Sequence, residues 1–111
     1  MSGKYEIKRA KNGEYYFNLK AANGEIILTS ETYKAKASAE KGIESVKTNS
    51  LEESQYERKG SQNGKFFFVL KAANREVIGS SEMYESEVSR ETGIESVKTN
   101  GPSAAVVDAA A

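Results

Sequence analysis

Apolar and charged residues alternate over Tyr5-Glu6-Ile7-Lys8, and that period of two predicts a strand with one buried face. Asn12-Gly13 follows, a pair suited to the positive φ angles of a two-residue hairpin turn. The next strand carries Tyr15, Phe17 and Leu19 on one face and Tyr16 and Asn18 on the other. Lys20-Ala21-Ala22-Asn23 reverses the chain into a third strand, Glu25-Ile26-Ile27-Leu28-Thr29. Ser38 then reads as a helix N-cap with Glu40 in the first turn. Ala39, Gly42, Ile43 and Val46 recur at helical spacing and form one apolar stripe. Asn49 sits where a left-handed C-terminal cap belongs.

The same pattern is then written again. Residues 12–49 and 63–100 align without a gap at an offset of 51, so that Tyr5 matches Tyr56 and Asn49 matches Asn100. Asn63-Gly64 repeats the first turn, Phe66, Phe68 and Leu70 repeat the core phase, and Ser89 repeats the cap. Each copy reads β-β-β-α, and the chain is one supersecondary unit used in tandem. The first repeat spans 4–50 and the second 55–101. Residues 102–111 have no partner period and read as a largely disordered tail, in which Val106-Val107 alone has the makings of an edge strand.

Three differences between the copies matter. Arg75 stands where the first copy has Gly24, and an arginine resists positive φ, so the second reversal is expected to leave only Asn23 and Asn74 left-handed. Gly79 replaces Leu28, which predicts either unequal packing or a close backbone approach. Arg90 replaces Ala39, so the second apolar stripe starts later. One feature is shared instead: each helix carries an interior glycine, Gly42 or Gly93, at a cost of about 1 kcal/mol relative to alanine. A side chain there is expected to hold the helix off its neighbours.

Composition narrows the chemistry. The 111 residues contain no cysteine and no histidine, which removes disulfides, the main ligands of zinc, copper and non-haem iron, and the common nucleophile–base pairs. Each copy of about 45 residues is too small for a sufficient core alone, so the two are expected to share one. Charge is balanced at 16 basic and 16 acidic residues, which leaves no large footprint for nucleic acid. No apolar run reaches the roughly 20 residues of a membrane span. The absent cysteine and the polar start fit a cytoplasmic protein.

The motif NG-x3-F-x-LKAAN…SE-x-Y…GI-E-S-V-K-T-N, present in both copies, resembles the YegP-like family of small bacterial proteins, built on a tandemly duplicated domain of unknown function. The resemblance covers residues 4 to 101. It implies an α+β fold in which two β-β-β-α repeats, related by a pseudo-twofold axis, share an antiparallel sheet with two helices packed on one face. It implies no activity, no cofactor and no metal.

Two groups of residues are candidates for a binding surface. Tyr16 and Phe67 point away from the core phase, and with Lys20 and Lys71 nearby they suit a protein partner, self-association or stacked single-stranded bases. The repeated polar set Asn23, Glu31 and Tyr33 with Asn74, Glu82 and Tyr84 falls near turns and strand ends, where it serves either small paired sites or the fold itself. Glu31 and Glu82 are the one conceivable acid/base pair, if they face each other. Local capping and ion pairing weigh heavily against that role. The reading is a non-enzymatic interaction module for a protein or small ligand, as monomer or homodimer, with weak single-stranded nucleic-acid binding through an aromatic sheet face as the alternative.

Overall fold

A computed structural model describes residues 3–110. Two β-β-β-α runs appear in order: β1 (Lys4–Arg9), β2 (Tyr15–Lys20), β3 (Ile26–Ser30) and α1 (Lys36–Asn49), then a 3₁₀ turn (Glu53–Gln55), β4 (Tyr56–Gly60), β5 (Phe66–Lys71), β6 (Val77–Ser80) and α2 (Glu87–Asn100). A last strand, β7 (Ala105–Asp108), follows. All seven strands form one sheet in the order β4-β5-β6-β3-β2-β1-β7. The class is α+β, with one core between sheet and helices in which Tyr5, Phe17, Leu19 and Ile43 from the first copy meet Phe68, Leu70, Ile94 and Val97 from the second. The two copies thus contribute to one shared cluster.

The copies join at the centre of the sheet. β3 pairs antiparallel with β6, placing Thr29 opposite Ser80 and Ser30 opposite Gly79. Gly79 is explained by that junction, because a Cβ there would lie 2.7 Å from the Thr29 carbonyl oxygen. The close backbone approach expected from the sequence is therefore real. The helix glycines also have a steric cause. A Cβ on Gly42 would lie 2.5 Å from the Tyr33 hydroxyl, and one on Gly93 would collide with that of Tyr84. Each tyrosine lies in turn nearly parallel to a core ring, Tyr33 against Phe17 at 6.5 Å and Tyr84 against Phe68 at 6.4 Å.

Four local expectations are corrected. The Asn-Gly pairs are not two-residue turns. Gly13 N donates to Ala10 O and Ala10 N to Glu14 O, and the same two bonds close the loops at Gly64, Gly24 and Arg75. Each loop thus has three residues, with positive φ only at the third: Gly13, Gly24, Gly64 and, at 74°, Arg75. The asparagines before them keep ordinary φ and brace the turn, as Asn23 and Asn74 accept the backbone N–H of Glu25 and Glu76. Arg75 adopts the left-handed geometry because two hairpin bonds fix it, against its own preference.

The helices also begin earlier than expected. Ala35 and Ser86 occupy the N-cap positions, and Ser38 and Ser89 lie one turn inside. Ser86 Oγ accepts the Ser89 N–H at 3.1 Å, whereas Ala35 offers no side-chain acceptor. Asn49 and Asn100 are likewise not left-handed caps. Each is the last helical residue and donates to the carbonyl four residues back, Ser45 or Ser96. Their carbonyl oxygens tie down the chain that follows or precedes, since Asn100 Oδ1 accepts from Gly3 N at 2.8 Å and Asn49 Oδ1 from Gln55 Nε2 at 3.4 Å.

The tail is ordered, not disordered, over β7, which lies parallel to β1 with Tyr5 opposite Val106 and Ile7 opposite Asp108. The sheet is therefore antiparallel in every ladder except this one. No local period marks β7, because what holds it is a strand a hundred residues away.

Candidate functional site

The repeated polar residues have distinct structural duties. Ser30 Oγ accepts the Phe17 N–H at 2.8 Å and donates to the Glu31 carbonyl, and Ser81 does the same for Phe68 and Glu82. A side chain thereby replaces a ladder partner where the strands diverge. Lys20 Nζ meets Glu6 at 3.0 Å and Lys71 Nζ meets Glu57 at 2.5 Å. Hydrogen bonding from Lys20 holds the Glu6 carboxyl below the usual range, and Lys71 does so for Glu57. These partly exposed pairs order the sheet surface more than they stabilise it.

Tyr16 and Phe67 do not form one patch. They lie on β2 and β5, with β3 and β6 between them, so about 14 Å of sheet separates their strands. Both are half-buried, and the register sets Lys8 beside Tyr16 and Lys59 beside Phe67. The flanking lysines are already engaged, Lys8 with Glu6 at 3.6 Å and Lys59 with Glu57 at 4.0 Å.

Glu31 and Glu82 are separated too. Glu31 N donates to Ile78 O across the β3–β6 junction, and Glu82 lies four residues further along, about 13 Å away in an extended chain. Both carboxylates are exposed. An acid/base pair between them has no geometric basis.

What the junction does bring together is Glu82 with Glu25. A cleft of about 440 Å³ opens between α2 and the β2–β3 turn, floored by Ile27 and Tyr84 and walled by Val88, Ser89, Thr92 and Ser96, with Asn23 and Glu25 at its rim. It continues into a hollow of about 480 Å³ that Gly24, Ile26 and Glu82 complete. Tyr84 lies half-buried between them, and burial first, then the charges of Glu82 and Glu25, push its phenol up. Val88 is 76% exposed at the mouth, a large apolar side chain with nothing over it. Three of the residues singled out from the sequence, Asn23, Glu82 and Tyr84, thus meet in one place. Their counterparts by position are Asn74, Glu31 and Tyr33, and on α1 Lys41 stands in the place of Thr92 and Ala37 in that of Val88. Those differences, two of the four between α1 and α2, are the signal that sequence reading passed over.

The two copies each match the model of a domain of unknown function, DUF1508, over residues 10–57 and 61–108. The chain belongs to this family. A UPF0339 protein of Acinetobacter baylyi is 63% identical over 108 residues, covering 97% of both chains. The UPF0339 protein YegP of Escherichia coli K12 is 56% identical, covering 97% of this chain and 98% of that one. The solution NMR structure of yegP from E. coli, described as a protein of unknown function, superposes with a TM-score of 0.94 at 55% identity over 99% of this chain and 95% of that one. A UPF0339 protein from Shewanella oneidensis, also solved by NMR, gives 0.93 at 48% identity over 99% and 93%. The family resemblance read from the motif therefore holds. No helix among the described residues is long and apolar enough to cross a membrane.

Proposed function

We propose that this protein is a non-enzymatic interaction module whose ligand seats in the cleft between α2 and the β2–β3 turn. The observation that carries the reading is the inequality of the two halves. The floor and carboxylates of the cleft, Ile27, Tyr84, Glu25 and Glu82, recur in the repeat as Ile78, Tyr33, Glu76 and Glu31, but the wall on α2 carries Thr92 and Val88 where α1 carries Lys41 and Ala37. An apolar floor with convergent polar groups is the usual form of a ligand site. The carboxylates favour an occupant with an apolar body and a positive charge, whether a small amine or a lysine side chain of a protein partner. Without histidine or cysteine, the cleft offers carboxylates and hydroxyls but no activated nucleophile.

The test is an NMR titration of ¹⁵N-labelled protein with phenethylamine and with a lysine-containing tetrapeptide. Shifts are expected at Ile27, Tyr84 and Thr92, and they should vanish in Thr92→Lys, which restores the residue found on the α1 side. Absence of those shifts in the unmodified protein overturns the cleft as the site. Single-stranded nucleic acid is the second reading, and the separated Tyr16 and Phe67 with their carboxylate-bound lysines support it less. Retention on single-stranded DNA at 50 mM salt, lost steeply as salt rises, would favour it instead.

A further inference from the structure

The two outer edges of the sheet are finished differently. On one side β7 covers β1. Its four residues are exposed on their outer side, Ala109 N donates to Ile7 O at 2.9 Å, and Asp108 meets Lys36 Nζ at 2.7 Å. Beneath it Ile7 is 1% exposed. On the other side no strand among the described residues covers β4, and three residues have changed. Arg58 stands at the position of Ile7 and is held by Glu91 and Glu53, both at 2.7 Å. Arg90 stands at the position of Ala39, with its guanidinium 5.4 Å from the Phe66 ring centre. Glu87 stands at the position of Lys36. Charges placed inward on an edge strand are how sheets refuse further strands. One edge is thus closed chemically, while the other is built apolar, carries a lysine and has a strand on it.

We propose that the β1 edge is a strand-acceptor site for an extended peptide segment of a partner protein, two apolar residues followed by an acidic one, and that β7 is its built-in occupant. Backbone bonds along β1 supply the affinity and Lys36 selects the acid, in the manner of peptides that add a strand to a sheet. β7 itself states the fit, Val106-Val107-Asp108 in parallel register with Tyr5, Glu6 and Ile7. Only four residues pair, and the other six strands keep their own antiparallel ladders without them. The carboxyl of Asp108 is held below its usual range chiefly by Lys36, which marks the same contact as the latch.

The test uses the full chain carrying Val107→Pro, which removes an N–H on the side of β7 that faces β1, since Ala109 two residues on donates there. The probe is a fluorescent peptide with the sequence of residues 103–110. Anisotropy should show at least tenfold tighter binding to the variant than to the unmodified protein, and a peptide with lysine in place of the aspartate should lose at least tenfold. Asp108→Lys, a milder loosening, should also raise affinity for the peptide and provides a second reading if the proline variant unfolds. Variants that keep the amide shifts of β1–β6 but bind the peptide no better than the unmodified protein overturn the proposal. Concentration-dependent dimers of the unmodified protein that exchange β7 overturn it too, because the occupant would then be a second copy.

Discussion

The Tyr5 hydroxyl donates to the Gly101 carbonyl at 2.6 Å, so the first strand is tied to the end of the last helix across 96 residues of chain. Tyr56 repeats the bond with Ser50, also at 2.6 Å. Both rings are almost fully buried, at 0% and 6% exposure, and both pack edge-on against a phenylalanine, Phe17 or Phe68. The helix ends they hold meet each other, since a Cβ on Gly101 would lie 2.8 Å from Ser50 Oγ. These two phenols therefore clamp the point where the copies converge.

Burial pushes both phenols well above the ordinary value of 10.0, with neighbouring charge as the smaller cause. The folded state holds these protons longer than the unfolded chain does. Stability is therefore fully present below pH 10 and falls as pH rises above it, by about 1.4 kcal/mol per pH unit for each tyrosine. Denaturant melts at pH 9, 10 and 11 check this. Tyr5→Phe should flatten the alkaline slope by one tyrosine's share while lowering stability at pH 7, by about 1 kcal/mol for the lost bond.

Gly42→Ala and Gly93→Ala should destabilise, although alanine is the better helix former by about 1 kcal/mol. The new methyl meets Tyr33 or Tyr84 in a packed core, and overpacking of this kind costs about 1–3 kcal/mol. Adding Tyr33→Phe to Gly42→Ala removes the nearest atom and should restore part of the loss. Chemical denaturation of the single and double variants gives the coupling directly.

Arg75→Gly should stabilise. The left-handed position costs an ordinary residue about 1–2 kcal/mol, and glycine returns part of that as greater freedom of the unfolded chain. A net gain of about 0.5–1 kcal/mol in urea melts is expected. Gly24→Arg, made at the matching loop, should lose a similar amount.

Ala35→Ser should stabilise α1 by about 1 kcal/mol, because Ser86 shows the bond available at the equivalent position of α2. Ser86→Ala should cost about as much. Thermal melts of the two variants, read together, test whether the cap geometry transfers between copies.

Arg58→Ile should open the guarded edge. It removes the charge at the position of Ile7 and leaves Glu91 without its main partner, which is also what holds that carboxyl below the usual range. Self-association that grows with concentration in sedimentation velocity is expected for this variant and not for Lys59→Ala, whose side chain makes only a loose contact with Glu57. A monomeric Arg58→Ile would mean that something other than Arg58 closes β4.

Much of the molecule could be read from residue order. The alternation around Phe17 and Phe68 and the helical spacing of Ile43 and Val46 are local patterns set by backbone geometry, and each found its place in the core. The helix glycines announced a close approach, which Tyr33 and Tyr84 then supplied. Details failed where two local signals competed. Asn-Gly suits both a two-residue turn and a three-residue one, and the choice falls to the register of the flanking strands. Ser86 and Ser89 are both able to cap α2, and the bridge between Phe66 and Tyr84 decides how soon the chain is free to coil.

By itself the sequence determined that one β-β-β-α unit is used in tandem and that histidine and cysteine chemistry is absent, because duplication, periodicity and composition are properties of the chain alone. Only the tertiary structure decided which edge carries β7, that Glu25 joins Glu82 while Glu31 stands apart, and that the cleft opens beside α2. Those outcomes depend on pairings between segments far apart in sequence, such as Ile7 with Asp108 and Thr29 with Ser80, and no local period encodes such a meeting.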